Sequence, residues 1–316
     1  MVYDFDDNYH EGYAGLPEAH VPWDQDEPQP EADAVAWYLS ASEWHDEGPK
    51  AIGECFDWFF EHVDTAKVRA IVIGGWEECY SQDSAPIVSR LADNANRLPG
   101  LRWLFLGDIS SEQAEISWIQ QSDITPLLEA YPKLERLEVR GGSGLGLRPV
   151  RHESLRMLRI ESGGLPGAVV RAVGECDLPA LEHLELWLGV TEYGGDATVG
   201  DCAAILSGER LPRLRYLGLQ DSEIADEIAA AVAAAPVVAR LETLSLAYGT
   251  LGNDGAEALL SGQPLTHLRT LDLEHHYLDE AMAARVTAAL PGVEVDLSDP
   301  QGEDEENESR YVAVSE

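Results

Sequence analysis

One short leucine motif, Leu-x-x-Leu-x-Leu, recurs through the sequence and constrains the fold more than any other feature. Seven segments match it, and they begin at Leu101, Leu134, Leu155, Leu181, Leu214, Leu241 and Leu268. An eighth segment of the same shape begins at Val68, and a truncated one begins at Val293. Successive starts are separated by 33, 33, 21, 26, 33, 27, 27 and 25 residues. Units this short cannot bury an apolar face alone, so the pattern predicts stacked repeats that share one core.

The motif and the segments between its copies predict different elements. The last leucines of each copy alternate with polar residues, as in a short strand with one buried face. Four return segments are rich in Ala and Leu and have an acidic residue in the first turn, as the helix dipole favours: 200–209, 226–235, 253–262 and 279–290. The predicted fold class is α/β, a leucine-rich-repeat solenoid with a curved parallel β-sheet on the concave side and helices on the convex side.

The repeats of residues 68–298 resemble the ribonuclease-inhibitor class of leucine-rich repeats, whose units are similar in length and have an outer helix. One departure concerns the Asn that many such repeats carry five positions after the second Leu. Those positions hold Ile109, Gly142, Gly163, Gly189, Ser222, Gly249 and His276. The sequence therefore lacks a buried Asn ladder.

The composition limits which kinds of partner the protein can bind and indicates the cellular compartment in which it works. The chain has 21 basic and 58 acidic residues and a net charge of −37, which disfavours binding to nucleic acid or to an anionic membrane. Neither a signal peptide nor a transmembrane segment is evident, so we expect a cytoplasmic protein. The four cysteines form no Cys-x-x-Cys pair, which is typical of small core residues in a reducing compartment.

The two ends of the chain differ from the repeats. We predict an acidic N-terminal segment (1–32) and an N-terminal cap made of a strand and a helix (33–67). After the repeats we predict an acidic disordered linker (299–309), which contains six acids and no aliphatic residue. The C-terminal motif (310–316) regains apolar character at Tyr311, Val312 and Val314. It is either a frayed end or a tethered ligand that docks on the solenoid or on a partner.

Four further stretches carry a closer resemblance. They are FFEHVDTAKVRAIVIGGW, EISWIQQSDITPLLEAYPKLERLEVRGG, LEHLELWLGVTEYGGD and the terminal RYVAVSE. Together they are similar to an uncharacterised family of bacterial leucine-rich-repeat proteins over nearly the whole chain. The resemblance implies a leucine-rich-repeat fold and a cytoplasmic location. It implies no activity, substrate, cofactor or site residue.

Two motifs invite a chemical interpretation. His275 and His276 precede two acids, but adjacent strand residues face opposite sides and no third histidine has zinc-like spacing. The glycine-rich run 141–147 lacks the Gly-Lys-Ser/Thr ending of a phosphate loop, and a tight return between repeats explains it better. No nucleophile or metalloprotease motif is present. We therefore predict no catalytic residue, no metal, no cofactor and no enzymatic activity.

Positions three, five and seven of each motif point away from the leucine core onto the predicted concave face. Aromatic residues, Met and Arg at these positions are typical of binding surfaces. The candidate partner-binding residues are Trp103, Phe105, Arg136, Arg140, Met157, Arg159, His183, Glu185, Trp187 and Tyr216. Alternatively, the long insert 108–133 folds over Trp103 and Phe105 and covers them.

These observations favour a non-enzymatic scaffold that binds a protein partner of unknown identity through its concave face. A sensor of a peptide or small molecule in the concave groove is the alternative. An enzyme, or an accessory subunit of an enzyme, has the least support from the sequence.

Position two of the motif has a pattern of its own, in which arginine and glutamate alternate without exception. Its residues are Arg102, Glu135, Arg156, Glu182, Arg215, Glu242 and Arg269. Because neighbouring strands lie about 4.8 Å apart, each Arg would have Glu neighbours on both sides. The pattern predicts a structural charge ladder along one margin of the sheet.

Overall fold

A computed structural model describes residues 12–21, 28–41, 51–302 and 309–316 of the chain. In these residues one open sheet has eleven strands, all parallel, in the order in which they occur in the sequence. The strands are β1 (Glu18–Val21), β2 (Ala36–Leu39), β3 (Ala70–Ile73), β4 (Trp103–Leu106), β5 (Arg136–Arg140), β6 (Met157–Glu161), β7 (His183–Gly189), β8 (Tyr216–Ser222), β9 (Thr243–Ser245), β10 (Thr270–Asp272) and β11 (Glu294–Asp296). The predicted leucine-rich-repeat solenoid of class α/β is confirmed.

Helices fill most of the return segments. They are α1 (Ile52–His62), α2 (Ala85–Asp93), α3 (Thr125–Ala130), α4 (Gly167–Glu175), α5 (Ala203–Ser207), α6 (Ala225–Val232), α7 (Asn253–Ser261) and α8 (Glu280–Ala289). Short 3-10 helices lie at Ala95–Arg97, Ile116–Trp118, Thr191–Tyr193 and Pro236–Arg240. Each of the four return segments predicted to be helical contains one of the helices α5 to α8. The glycine-rich return between β5 and β6 is formed by extended chain and turns.

The leucines of successive motifs form the core. The second leucine of each motif aligns with that of the next strand, as Leu104 with Leu137 and Leu244 with Leu271. These residues are at most 1% exposed, and one apolar cluster continues from Ala19 to Leu290. Burying one such side chain is worth about 1.5–3 kcal/mol. Each layer exists only because the neighbouring repeat covers it, so stability is shared along the stack.

The four cysteines belong to this core. Cys55, Cys79, Cys176 and Cys202 are buried and unbonded to one another. Burial raises the pKa of the Cys202 thiol to about 12 and also raises the pKa of Cys176. Both thiols are therefore held in the protonated, unreactive form and act as small apolar side chains.

The sheet begins earlier in the chain than the sequence indicated. Strand β1 lies within the predicted acidic segment 1–32 and pairs in parallel with β2. It has only four residues, too few for an alternation that sequence analysis can recognise. Trp37 of β2 packs edge-on against Phe59 of α1, with ring centroids 5.8 Å apart. The division of the chain into five parts stays a prediction, and residues 1–11, 22–27, 42–50 and 303–308 lie outside the described ranges.

Because an Asn ladder is missing, polar side chains other than Asn accept backbone N–H groups in two of the turns. Ser222 Oγ accepts the backbone N–H of Ile224 at 3.2 Å, and His276 Nδ1 accepts that of Leu278 at 3.1 Å. The other ring nitrogen of His276 lies 3.2 Å from the carbonyl oxygen of Leu297. Buried backbone groups need partners. These two repeats therefore meet this need locally with the Ser or His that they carry.

The arginine–glutamate alternation of position two forms ion pairs between neighbouring repeats. Arg102 pairs with Glu135 at 3.5 Å, and Arg156 pairs with Glu182 at 2.9 Å. Glu242 lies 4.0 Å from Arg215 and 3.3 Å from Arg269. Exposed pairs contribute little individually, about 0.2–1 kcal/mol each. Their regular alternation favours the correct register, because a slip by one repeat would oppose like charges.

We expect Glu182→Arg to lower the free energy of unfolding by about 1 kcal/mol, because it replaces an ion pair with three cations in a row. Added salt should recover part of this loss, since exposed charges are screened. Urea denaturation at low and high salt measures both effects. Glu182→Gln is the matched control and should lose less. A loss unchanged by salt would contradict the ladder.

Candidate partner-binding surface

The third positions of the motifs form a continuous stripe across the sheet face opposite the leucine core. We call it the position-three row, and it consists of Trp103, Arg136, Met157, His183, Tyr216, Thr243 and Thr270. Each of these residues is paired in register with the next. All of them are half-buried, so each side chain has one side in contact with the protein and one side in solvent. The row is therefore a continuous, partly accessible part of the predicted concave face.

Aromatic contacts order the row in its middle and at its Trp103 end. The rings of His183 and Tyr216 stack with centroids 3.8 Å apart and planes 8° from parallel. The guanidinium carbon of Arg69 lies 5.2 Å from the ring centroid of Trp103. Rings held in this way lose little freedom on binding, which favours affinity.

Along the row lies a network of buried carboxylates and half-buried arginines, which we call the concave charge network. Its members come from positions three, five and seven of β5, β6 and β7: Arg136, Glu138, Arg140, Arg159, Glu161 and Glu185. Arg159 is its centre, because its guanidinium lies 2.9 Å from Glu185 and 3.6 Å from Glu138 and also pairs with Glu161. Arg136 reaches Glu138, and Arg140 reaches Glu161, both at 2.6 Å.

The network lowers the pKa of two of its carboxyl groups, Glu161 and Glu185. Burial alone would raise the pKa of Glu185, but Arg159 and His183 more than offset this and lower it to about 2. Arg140 and Arg159 lower the pKa of Glu161 in the same way against its burial. The indole N–H of Trp187 also donates to Glu185, at 3.1 Å. Three strands are thus joined by charges that remain ionised at neutral pH.

The ten candidate residues divide into two groups. Trp103, Arg136, Arg140, Met157, Arg159, His183 and Tyr216 are half-buried, and Phe105, Glu185 and Trp187 are buried. Other side chains cover the buried three: Tyr13 near Phe105, Arg159 and His183 at Glu185, and Ile116 and Val314 at Trp187. The half-buried seven stay a predicted partner-binding site.

The alternative interpretation predicted that the insert 108–133 covers Trp103 and Phe105. The two large aromatic residues of the insert, Trp118 and Tyr131, lie elsewhere. Tyr131 lies in the main core and donates to the carbonyl oxygen of Leu91 at 2.6 Å. Trp118 is 55% exposed. It is Tyr13, from the N-terminal part of the chain, that packs near Phe105, with ring centroids 6.2 Å apart. Sequence reasoning missed this contact because Tyr13 lies outside every repeat.

A second surface lies where the strands end. Asp221, Tyr248 and His275 each occupy position eight of their motif and have left-handed backbone conformations, with φ of 50°, 66° and 58°. Non-glycine residues avoid this region, at a cost of about 1–2 kcal/mol each. Three consecutive repeats therefore hold the same unfavourable turn at the same position.

The C-terminal residues of the chain contact all three of these turns. One ring nitrogen of His275 lies 3.1 Å from the carbonyl oxygen of Tyr311. The N–H of Ala313 donates to the carbonyl oxygen of Tyr248 at 2.8 Å, and the N–H of Val314 donates to Asp221 Oδ1 at 3.0 Å. The segment thus crosses the repeats in reverse chain order.

Apolar contacts accompany these hydrogen bonds. Val314 packs against a small cluster formed by Ile116, Trp187, Ala247 and Tyr248. We call the depression formed by this cluster, the three position-eight turns and Gly163 the tail groove. Val312 is 7% exposed, whereas the side chain of Tyr311 is 58% exposed. At the far end, the hydroxyl of Tyr193 donates to the carboxylate of Glu316.

Among the described residues, Asp272, Glu274 and Asp296 are brought within 4.8 Å of one another and could hold a hard cation. Burial is the main cause that raises the pKa of both Asp272 and Glu274. His275 and His276 do not belong to this acidic group. His275 is within hydrogen-bond distance of Asp299 and Tyr311, and His276 is within hydrogen-bond distance of Leu278 and Leu297. The acidic group was not predicted, because its members come from two neighbouring repeats.

An open, all-parallel sheet built from leucine motifs, with helices in the returns, defines a leucine-rich-repeat protein. A solved structure of a Bacteroides fragilis protein is 31% identical in sequence to this chain, with a TM-score of 0.75, and the match covers 83% of this chain and 74% of that one. The chain therefore belongs to the same family as that bacterial protein.

Other comparisons add little to this assignment. An internalin from Listeria monocytogenes matches at 15% identity and a TM-score of 0.27, over 75% of this chain and 82% of the internalin, and this likeness carries no argument. No protein-family model matches the sequence, and no curated protein matches it. In the described ranges, none of the helices is long and apolar enough to cross a membrane.

The concave charge network predicts how the fold responds to acid. The pKa of Glu185 is lower in the folded chain than the ordinary value of 4.5, so its stabilising effect is present above about pH 4.5 and is lost as the pH falls towards 2. We expect Glu185→Gln to lower the free energy of unfolding at pH 7 by about 3 kcal/mol, because Arg159 loses a partner. The variant should also lose less stability than the parent between pH 5 and pH 2.

Chemical denaturation over this pH range is the measurement. Glu182→Gln, which removes one member of an exposed pair, is the control and should change stability at pH 7 by less than about 1 kcal/mol. Equal effects of the two substitutions would contradict the assigned role of the network.

Proposed function

We propose that this protein is a non-enzymatic scaffold that binds another protein through the position-three row. The single observation that carries the proposal is the row itself, a half-exposed stripe that continues across seven strands and contains Trp103, Met157 and Tyr216. Large apolar side chains at half exposure are characteristic of binding hot spots. A contact surface of this length suits an extended or helical segment of a partner.

The concave charge network supports this proposal by keeping the row rigid. Arg136 belongs to both, because its backbone forms part of β5 and its guanidinium is fixed by Glu138. Residues held by buried ion pairs need little reorganisation when a partner binds. The net charge of −37 favours a partner with a basic surface.

Three further assignments are proposals of the same kind. We place the repeats in the ribonuclease-inhibitor class, because units of 25–27 residues contain α6, α7 and α8 in their returns. We propose a cytoplasmic location, which the four unbonded cysteines favour. We also propose that Tyr311, Val312 and Val314 dock on the solenoid in solution. The hydrogen bonds from Ala313 and Val314 to the tail groove support this docking.

A photo-crosslinking amino acid placed at Met157 tests the scaffold proposal. We expect an adduct with a protein of defined mass in the native host, because this position lies within the row, between Arg136 and His183. The matched control places the same group at Ala288, which is exposed on α8 in a return segment. The adduct should not form there.

A charge in the row should then prevent binding. With the cross-linking amino acid moved to a second site in the row, we expect Met157→Lys to reduce recovery of the cross-linked partner at least tenfold. Ala288→Lys should leave this recovery unchanged. Adducts that form only at Ala288 would place the interface in the return segments. A retained metabolite in native mass spectra, with no protein adduct, would favour the alternative of a small-molecule sensor.

A further inference from the structure

Three consecutive repeats contribute the same left-handed turn to the tail groove. Its position-eight residues, Asp221, Tyr248 and His275, lie 27 residues apart and share the left-handed turn. Their own N–H groups remain paired with the next repeat, to Ala247, Glu274 and Ser298. The left-handed turns are thus energetically unfavourable, but they leave the backbone hydrogen bonds to the next repeat intact. Unfavourable backbone conformations that recur at one surface are typical of binding sites.

Each turn presents a group suited to the backbone of an extended peptide. Tyr248 offers its carbonyl oxygen, Asp221 its carboxyl group and His275 a ring nitrogen, and their partners are main-chain atoms of residues 311, 313 and 314. Main-chain contacts provide affinity without reading sequence. The groove therefore recognises an extended conformation first.

The side-chain contacts add a sequence preference. The guanidinium of Arg310 lies 3.2 Å from Asp226 and 5.6 Å from the ring centroid of Tyr277, and it donates to the carbonyl oxygen of Thr250 at 3.3 Å. Glu223 and Asp254 line the same concavity. At its other end the groove encloses Val314 in the apolar cluster. The pattern accepted is a cation followed by apolar residues at alternate positions.

Asp221 is the most specific part of the groove. It is fully buried, and in the described part of the chain no group donates to its Oδ2. Burial raises the pKa of this carboxyl well above its ordinary value, while the N–H of Val314 lowers it. The side-chain amide of Asn can replace the Asp221 carboxyl group, because an amide oxygen also accepts the N–H of Val314.

Gly163 shows how closely the peptide backbone approaches. A Cβ built on Gly163 would lie 2.3 Å from the carbonyl oxygen of Ser315 and 3.3 Å from the side chain of Ser117. The absence of a side chain here is therefore required for the peptide and gives a way to block it. A Cβ built on Gly53, in α1, would have no atom within 4 Å, so Gly53→Ala is the matched control.

We propose that the tail groove is a peptide-recognition site for an extended segment with a cation followed by alternate apolar residues. Residues 310–316 occupy it as a displaceable ligand from the same chain. Removal of the segment exposes the groove to a partner peptide of the same pattern. This inference rests on the docking proposed above and adds a second site to the position-three row.

The test is binding of a synthetic peptide, RYVAVSE with an N-terminal fluorophore, to the full-length chain. The receptor is the Val314→Asp variant, in which a charge in the apolar cluster releases the chain's own segment. We expect saturable fluorescence polarisation with this variant and at least tenfold weaker binding to the wild-type chain. A tethered ligand acts at a millimolar effective concentration and therefore excludes a free one.

Variants of the groove complete the experiment, each combined with Val314→Asp. Asp221→Asn keeps an acceptor for the peptide N–H and should bind the peptide within about threefold. Asp221→Gly tolerates the left-handed turn but removes the acceptor, and it should bind at least tenfold more weakly. Gly163→Ala should abolish binding, and Gly53→Ala should not.

Several outcomes would overturn the inference. Val314→Asp protein with unchanged circular dichroism that fails to bind the peptide would show that the segment is only a structural strap. Equal binding by the wild-type chain, or undiminished binding by Gly163→Ala, would place the peptide elsewhere. If Val314→Asp impairs folding, Ala313→Pro removes one peptide N–H at an exposed residue and serves as the receptor. Peptide binding and cross-linking at Met157 are separate measurements, so failure of one proposal leaves the other intact.

Discussion

The requirement that each repeat cover the apolar face of its neighbour determines the rest of this structure. Leu104, Leu137 and Leu158 are adjacent in the sheet and almost wholly inaccessible to solvent. Once these leucines are stacked, positions three, five and seven must face the other way, and position eight must lie at the strand ends. The row, the charge network and the tail groove are therefore periodic surfaces that the core imposes.

The sequence predicted the features that repeat and missed those that do not. Strand positions, the α5 to α8 helices and the register followed from leucine spacing, because one buried side chain in every second position defines a strand. Strand β1 and the contact of Tyr13 with Phe105 were missed, because they come from segments with no period. A fold based on repetition is readable from sequence only where the repetition holds.

The candidate site was predicted by position but not by accessibility. Trp187 occupies an outward position, yet it is 4% exposed because Ile116 and Val314 pack against it. Glu185 likewise faces outward and is enclosed by Arg159 and His183. Alternation along a strand specifies which face a side chain takes. It does not specify whether another segment, up to 130 residues distant, returns to cover that face.

The left-handed turns connect the periodic core to the non-periodic tail. Asp221, Tyr248 and His275 each adopt a conformation that glycine would adopt at no cost, and glycine does occupy the equivalent position at Gly141. Stability alone would favour glycine at all four positions. A side chain is present at the three turns that residues 310–316 cross, and two of these side chains bond to that segment. At these three turns the unfavourable conformation coincides with contacts to residues 310–316, which is the arrangement expected of a recognition site.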